Sequence, residues 1–311
     1  MQAVLNITAP IFFIIFLGYV SVRYRLIPKE MLPGLSRFVL YVALPALIFI
    51  KVSSMPIDQL FYPAYLIIYG VGSICALFTG VLISRYVFKD TLGVSGVRGM
   101  GSALSNSSFI GFPILLQFFD HAPTQAFAMT VMIENILILP IALIFVEYAF
   151  GRSEQASIKA QWQGILKRVS TNPIIISVFA GVFFSVLGLS LPAFMDVGLN
   201  LLASGAAAAA LIVIGGSLVG VSIKGSYSRI GSVSLAKLVI HPLWVLVLIQ
   251  FFPSMPNDLK MAAILFAAMP MFSIYPILGG EYGQREFCAS ALLVTTLFSF
   301  ISVSALIHIY S

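Results

Sequence analysis

Apolar runs long enough to cross a bilayer follow one another along almost the whole chain. They cover residues 5–22, 34–50, 62–84, 99–119, 123–150, 172–190, 197–220, 230–252, 258–280 and 287–310, ten in all. A helix needs roughly 20 apolar residues to cross the hydrocarbon, and each run approaches or exceeds that. Two runs depart from a continuous apolar pattern. The fourth is interrupted by Ser105-Asn106-Ser107-Ser108-Phe109-Ile110-Gly111-Phe112-Pro113, and the ninth by Pro270-Met271-Phe272-Ser273-Ile274-Tyr275-Pro276. Hydrocarbon supplies no water to freed backbone groups, so a broken helix at membrane depth persists only inside protein or beside a cavity. Paired interruptions in two related halves point to the binding site of a secondary transporter.

The longest polar stretch, residues 151–171, divides the chain into a first five-span unit at 1–150 and a second at 172–311. Five is odd, so the second unit enters the membrane from the opposite side, which predicts an inverted repeat. Pro10 and Pro173 are 163 residues apart, as are Gly18 and Gly181, and Pro113 and Pro276. These offsets agree with a repeat in which the fourth span of each half is broken and the two run in opposite directions. The predicted fold is therefore an all-α polytopic membrane protein of ten helices in a five-plus-five inverted repeat.

Composition agrees with that pattern: 60% of residues are hydrophobic and 9% charged, against about 25% charged in soluble domains. The turns after runs one, three, five, seven and nine carry fourteen of the 17 basic residues, among them Arg23, Arg85, Arg98, Arg152, Lys224 and Arg285. The positive-inside rule puts those turns in the cytoplasm and both termini outside it. Topology thus accounts for the net charge of +6, and no nucleic-acid partner is implied. No basic residue precedes the first run, so a cleavable signal peptide is not expected. Cys75 and Cys288 fall within runs and suggest neither a disulfide nor a metal framework. No phosphate-binding loop, Ser-His-Asp set or cofactor motif stands out, so neither an enzyme nor ATP-driven transport by this chain alone is expected.

The half-helix that starts after a break presents unpaired N–H groups and the positive end of its dipole. Two such ends meeting at mid-membrane make an anion site without basic side chains. Asn106, Ser107, Ser108, Ser273 and Tyr275 can add hydrogen bonds there, within breaks shaped by Gly111, Pro113, Pro270 and Pro276. The alternative is a pair of proline kinks whose Ser and Asn side chains bond to the preceding turn. Ionisable residues well inside runs are functional candidates by default. Glu134, followed by Asn135, could carry a proton or ligate Na⁺, or it could be a neutral group bonded into the bundle. Lys237 could balance a substrate carboxylate, pair with Glu134, or snorkel to the interface. His241, four residues on and before Pro242, reads as satisfying a local kink. The smooth run from Ala206 to Gly220 suggests close helix packing within the chain, with a dimer face as the alternative.

The segment Leu104 to Leu115, with Asn106 leading to Gly111-Phe112-Pro113, resembles the fourth-span motif of the auxin efflux carrier family. Pro270 to Pro276 followed by Gly280-Glu281-Tyr282 is similar to that family's ninth span, and Asn172-Pro173 and Leu44-Pro45-Ala46 also fit. The resemblance implies a fold related to sodium–proton antiporters and bile acid transporters. Spans one, two, six and seven would form a scaffold, often dimeric, and the others a moving transport unit with substrate held where spans four and nine cross. It also implies that Asn106 contacts substrate, and that Pro113, Pro270 and Pro276 sit at the crossing. The short 151–171 linker departs from the long hydrophilic loop of many plant members. It resembles compact bacterial members, some of which carry malonate, malate or related acids. The expectation is an inner-membrane secondary carrier of a small mono- or dicarboxylate, coupled to H⁺, to Na⁺ or to neither, without a cofactor. The alternative is a passive channel or facilitator.

Overall fold

The computed structural model describes residues 2–56, 61–151, 170–221, 223, 226–252 and 254–310. Most of the proposed linker, including Arg152, Lys159, Lys167 and Arg168, lies outside the described residues. In chain order the helical segments are α1 (Gln2–Arg23), α2 (Lys29–Ser53), α3 (Pro63–Val87), α4 (Leu92–Ala103), α5 (Ser107–Phe118) and α6 (Thr124–Ala149). They continue as α7 (Pro173–Val186), α8 (Ala193–Ser217), α9 (Tyr227–Ile249), α10 (Asn257–Ala268), α11 (Tyr275–Gly280) and α12 (Arg285–Tyr310). Helix occupies each of the ten apolar runs, and there is no strand among the described residues. Six helices (α2, α3, α6, α8, α9 and α12) are long and apolar enough to cross a membrane. The chain is a multi-pass, all-helical membrane protein.

The fourth and ninth runs are divided where their composition predicts. α4 ends at Ala103, residues 104–106 are extended or irregular, and α5 starts with Asn106 as its cap. α10 ends at Ala268, and α11 starts at Tyr275 with Pro276 in its first turn, where a missing N–H costs nothing.

Prolines also explain a second regularity. Besides one at Ile83–Val87 that precedes no proline, four π turns stand at Val39–Ala43, Ser107–Gly111, Glu134–Ile138 and Ala236–Ile240. Each of these turns ends two residues before a proline, at Pro45, Pro113, Pro140 and Pro242 respectively. A proline ring clashes with the carbonyl four residues back and offers no N–H to it. A turn widened by one residue relieves the clash without ending the helix, and such bulges recur at functional sites. Glu134 and Lys237 both lie in these turns.

Close helix packing runs through glycines. Gly18 of α1 abuts the backbone of Ile212 on α8, and Gly215 of α8 abuts the backbone of Ile15 and Tyr19 on α1. The smooth half of α8 therefore packs within the chain, whereas its first half, Ala193–Ser204, buries no residue. Gly181 of α7 meets Val52 and Phe49 of α2 in the same manner. On α4, a Cβ at Gly99 would stand 2.6 Å from the Leu77 carbonyl oxygen of α3. Gly99→Ala is expected to destabilise the fold by about 1–3 kcal/mol, the usual cost of overpacking, because the obstacle is backbone. A thermal-shift comparison in detergent checks it, and an unchanged midpoint would mean that α3 and α4 slide apart freely.

Arg98 does not lie in an exposed turn. It is buried on α4, ion-paired with Asp90, with its guanidinium 4.8 Å from the Phe287 ring. Arg229 reaches the same carboxylate at 3.4 Å, and Ser84 Oγ donates to it at 2.8 Å. Charge compensation is what lets the helix begin early, at Leu92, with Thr91 Oγ1 accepting from the Val94 N–H.

Candidate functional site

The two breaks meet and pair. Asn106 N–H donates to the Pro270 carbonyl at 2.8 Å, and Phe272 N–H donates to the Leu104 carbonyl at 3.3 Å. Ser105 and Met271 thereby form an antiparallel bridge, so each break satisfies backbone groups that the other leaves unpaired. Asn106 fastens the crossing further. Its Oδ1 accepts from the Phe109 N–H at 3.3 Å and caps α5, while its Nδ2 donates to Ser273 Oγ at 2.9 Å.

Beside the crossing lies a cavity of about 820 Å³. Its inner end is made by Ser105, Asn106, Ser107, Ser108 and Ser273, with Glu134 and Asn135 from α6. Towards the ends of α6 and α11 and the start of α7 it is bordered by Glu147, Asn172, Glu281 and Tyr282, with Tyr41 from α2. On the far side of the crossing, Phe112, Phe127 and Phe266 stack in the core, with ring centroids 4.5 and 6.0 Å apart. No Lys, Arg or His lines the cavity among the described residues, whereas three carboxylates do.

Glu134 is buried against the break, and its Oε1 receives three donors. Tyr69 Oη donates at 2.8 Å, Ser107 Oγ at 2.8 Å and the Ser105 N–H at 3.3 Å. Tyr69 stacks on Tyr65, whose hydroxyl lies 2.6 Å from Thr130 Oγ1. Asn135 faces the other way, donating to the Val131 carbonyl at 2.9 Å and accepting from Asn172 at 3.4 Å. Asn172 in turn caps α7 through the Ile174 N–H at 3.0 Å.

Lys237 does not snorkel. It is fully buried, and its ammonium donates to the Ala267 carbonyl at 2.6 Å and to His241 Nδ1 at 3.0 Å. Cation and carbonyl meet at the end of α10, where a positive charge offsets the helix dipole. The ammonium has only donors, so His241 accepts at Nδ1 and donates from Nε2 to Ser73 Oγ, 3.0 Å away. Ser73 passes its own proton to the Tyr69 carbonyl at 2.7 Å. Each break therefore has one ionisable partner, Glu134 for the first and Lys237 for the second.

The remaining candidates from sequence shape the crossing without lining the cavity. Gly111 lets α5 rest on Phe266 of α10 and on Met269 just beyond its end, and Gly101 receives the ring of Tyr275. The Tyr275 hydroxyl donates to the Val97 carbonyl at 3.1 Å, inside α4. Pro113 follows the π turn that opens α5, Pro276 sits in the first turn of α11, and Pro270 contributes its carbonyl. Residues that sequence reasoning passed over are Tyr69 and Ser73; Ser105 and Tyr282 stood in its motifs without an assigned role, and Tyr282 donates to Glu147 at 2.5 Å near the mouth. A polar pair four residues apart in an apolar run, Tyr69 and Ser73, was the available signal, matching Lys237 and His241 on α9.

A multi-pass helical protein whose two broken helices cross beside a polar cavity belongs to the membrane transporters rather than the enzymes. Residues 3–307 match the family described as membrane transport protein, and the chain is a member of that family, which includes the auxin efflux carriers. Among its relatives is a Rhizobium meliloti protein named "Putative malonate transporter", 29% identical over 99% of this chain and 96% of its own length. An uncharacterized transporter of Methanocaldococcus jannaschii is 22% identical over 96% of both chains. The mouse lysosomal cholesterol signaling protein is 24% identical over 93% of this chain, which spans 35% of that larger protein.

Proposed function

We propose that the protein is a secondary carrier of a small organic anion, a mono- or dicarboxylate, in a bacterial inner membrane. The observation that carries this reading is the pairing of the two breaks through Ser105 and Met271 beside a cavity rich in hydroxyl and amide groups. The α5 terminus, with the second Asn106 Nδ2 hydrogen and the Ser108 hydroxyl, offers donors to a carboxylate, and Ser107 ties Glu134 to the same terminus; with no cation among the described lining residues, the backbone dipole is the main positive field. The name of the Rhizobium relative agrees with a dicarboxylate.

A ten-span, five-plus-five inverted repeat is supported by reciprocal packing. α1 packs on α8 through Gly18, and α7 packs on α2 through Gly181, the partner that the 163-residue offset assigns to it. α1, α2, α7 and α8 would be the scaffold, also the natural place for a homodimer contact, and the other helices a transport unit that shifts against it. With basic turns inside, both termini face out, and the cavity, bordered by Glu147 and Tyr282, opens to the cytoplasm. Glu134, Asn135 and Lys237 are the groups proposed to couple transport to H⁺ or Na⁺.

Counterflow in liposomes tests the carrier reading. Vesicles preloaded with malonate or malate should accumulate the labelled acid faster than empty ones and saturate with concentration. Linear uptake that internal acid does not accelerate would assign a passive pore instead.

A further inference from the structure

All three hydrogen bonds on the Glu134 carboxyl land on Oε1, from Tyr69, Ser107 and the Ser105 backbone. The same carboxyl borders the cavity, so Oε2 is the oxygen left for whatever occupies it. The other charged group at the crossing is Lys237, whose charge reaches Glu134 through space. Its own hydrogen bonds go to Ala267 and His241, away from the cavity. The remaining titratable groups nearby are Tyr69 and Tyr65 on α3 and His241 on α9, with Glu147 farther along α6 at the mouth.

With Glu134 ionised and Lys237 protonated, the crossing holds one buried anion and one buried cation, which balance. An incoming carboxylate adds a second negative charge where water is scarce and no lining cation answers it. Uncompensated charge in such a place is strongly disfavoured. One proton restores the balance for a monocarboxylate and halves the excess for a dicarboxylate, and among the described residues the only carboxyl at the inner end of the cavity is Glu134. A protonated Oε2 also changes from a repelling acceptor into a donor, able to hydrogen-bond an anionic oxygen directly.

We infer that Glu134 takes up one proton from the cavity as the anion binds, and that the Oε2 hydroxyl donates to the substrate carboxylate while Oε1 stays anchored to the break. The inference rests on the organic-anion reading above and specifies how that site recognises its ligand. The proton enters on Oε2 from cavity water and leaves with the anion on the other side, so a cycle carries the two together. Affinity is full where Glu134 of the empty site is readily protonated and falls as pH rises. The loss should approach about tenfold per pH unit, the limit for one linked proton.

Calorimetry on the purified full chain in detergent tests it, with acetate, butyrate, malonate and malate as probes. Each is titrated near neutral pH in two buffers of different ionisation enthalpy, so the heat difference reads the protons taken up. About one proton per bound anion is expected for the native chain. Glu134→Gln should bind with no uptake and with an affinity that no longer follows pH, because the amide donates permanently. Binding without uptake in the native chain overturns the inference and leaves the carrier reading intact. Equal uptake in Glu134→Gln also overturns it, since the proton then resides on the ligand or elsewhere. A requirement for Na⁺ that choline cannot replace, again without proton uptake, does the same in favour of a cation ligand. Should the variant fail to fold, the pH dependence of the native affinity decides alone, and a flat profile overturns the inference. If none of the four acids binds, the organic-anion reading falls first and the inference with it.

Discussion

Replacing Lys237 with Met should destabilise the protein by about 3 kcal/mol and abolish uptake. Two buried acceptors, the Ala267 carbonyl and His241 Nδ1, lose their shared donor. Each unsatisfied buried group costs about 1–3 kcal/mol. Glu134 also loses the positive charge that balances it. A second substitution separates these contributions. Glu134→Gln added to Lys237→Met removes the uncompensated anion, so the double variant should melt higher than additive behaviour predicts, as for charge pairs broken at one partner or at both. Thermal melting of the four proteins in one detergent gives the answer. Strict additivity would show that the two charges do not sense each other.

Asn106→Ala should weaken anion binding by roughly 30- to 150-fold while leaving the chain folded. The side chain caps α5 through Phe109 and holds Ser273 across the crossing. Losing a cap costs about 0.5–2 kcal/mol, and losing a hydrogen bond to a charged group about 1.5–3 kcal/mol. The lower part of the summed range, about 2–3 kcal/mol, corresponds to that loss of affinity at about 1.4 kcal/mol per decade. Asn106→Asp separates capping from recognition. Aspartate caps as well as asparagine does, yet it would repel a carboxylate and cannot donate to Ser273. Binding lost in both variants, with melting temperature recovered in Asp, is the expected outcome. Unchanged affinity in Ala would remove Asn106 from the site.

Element by element, the helices were readable because the bilayer demands long apolar runs and tolerates few alternatives. The breaks were readable for the opposite reason: a cluster such as Ser105 to Ser108 beside Pro113 has no place in a lipid-facing helix. That the breaks join backbone to backbone was not readable, since antiparallel pairing depends on two segments far apart in sequence. Arg98 was misplaced because a count of basic residues cannot show that Asp90 and Ser84 neutralise one of them inside a helix. Lys237 was the more instructive case. One of its three open readings was a side chain long enough to escape to water. The π turn before Pro242 instead turns it inward, onto the end of α10. Of the site candidates read from the sequence, Asn106, Ser107, Ser108, Ser273, Glu134 and Asn135 border the cavity. Gly111, Pro113, Pro270, Tyr275 and Pro276 build the crossing instead, a distinction that turns on which way a side chain points.

The bridge between the breaks also bears on how the molecule is made. Asn106 and its partner Ser273 are 167 positions apart, so most of the second half must be synthesised before the first break meets its complement. Until then the backbone of residues 104–106 enters the membrane with polar groups that only a later segment will pair. Helix by helix, insertion can proceed in order, but the site itself forms last. Expression of the first 150 residues alone would leave that strip of backbone open to the insertion machinery and to quality-control proteases. The crossing proposed to hold the substrate is therefore also the part of the fold on which biogenesis waits longest.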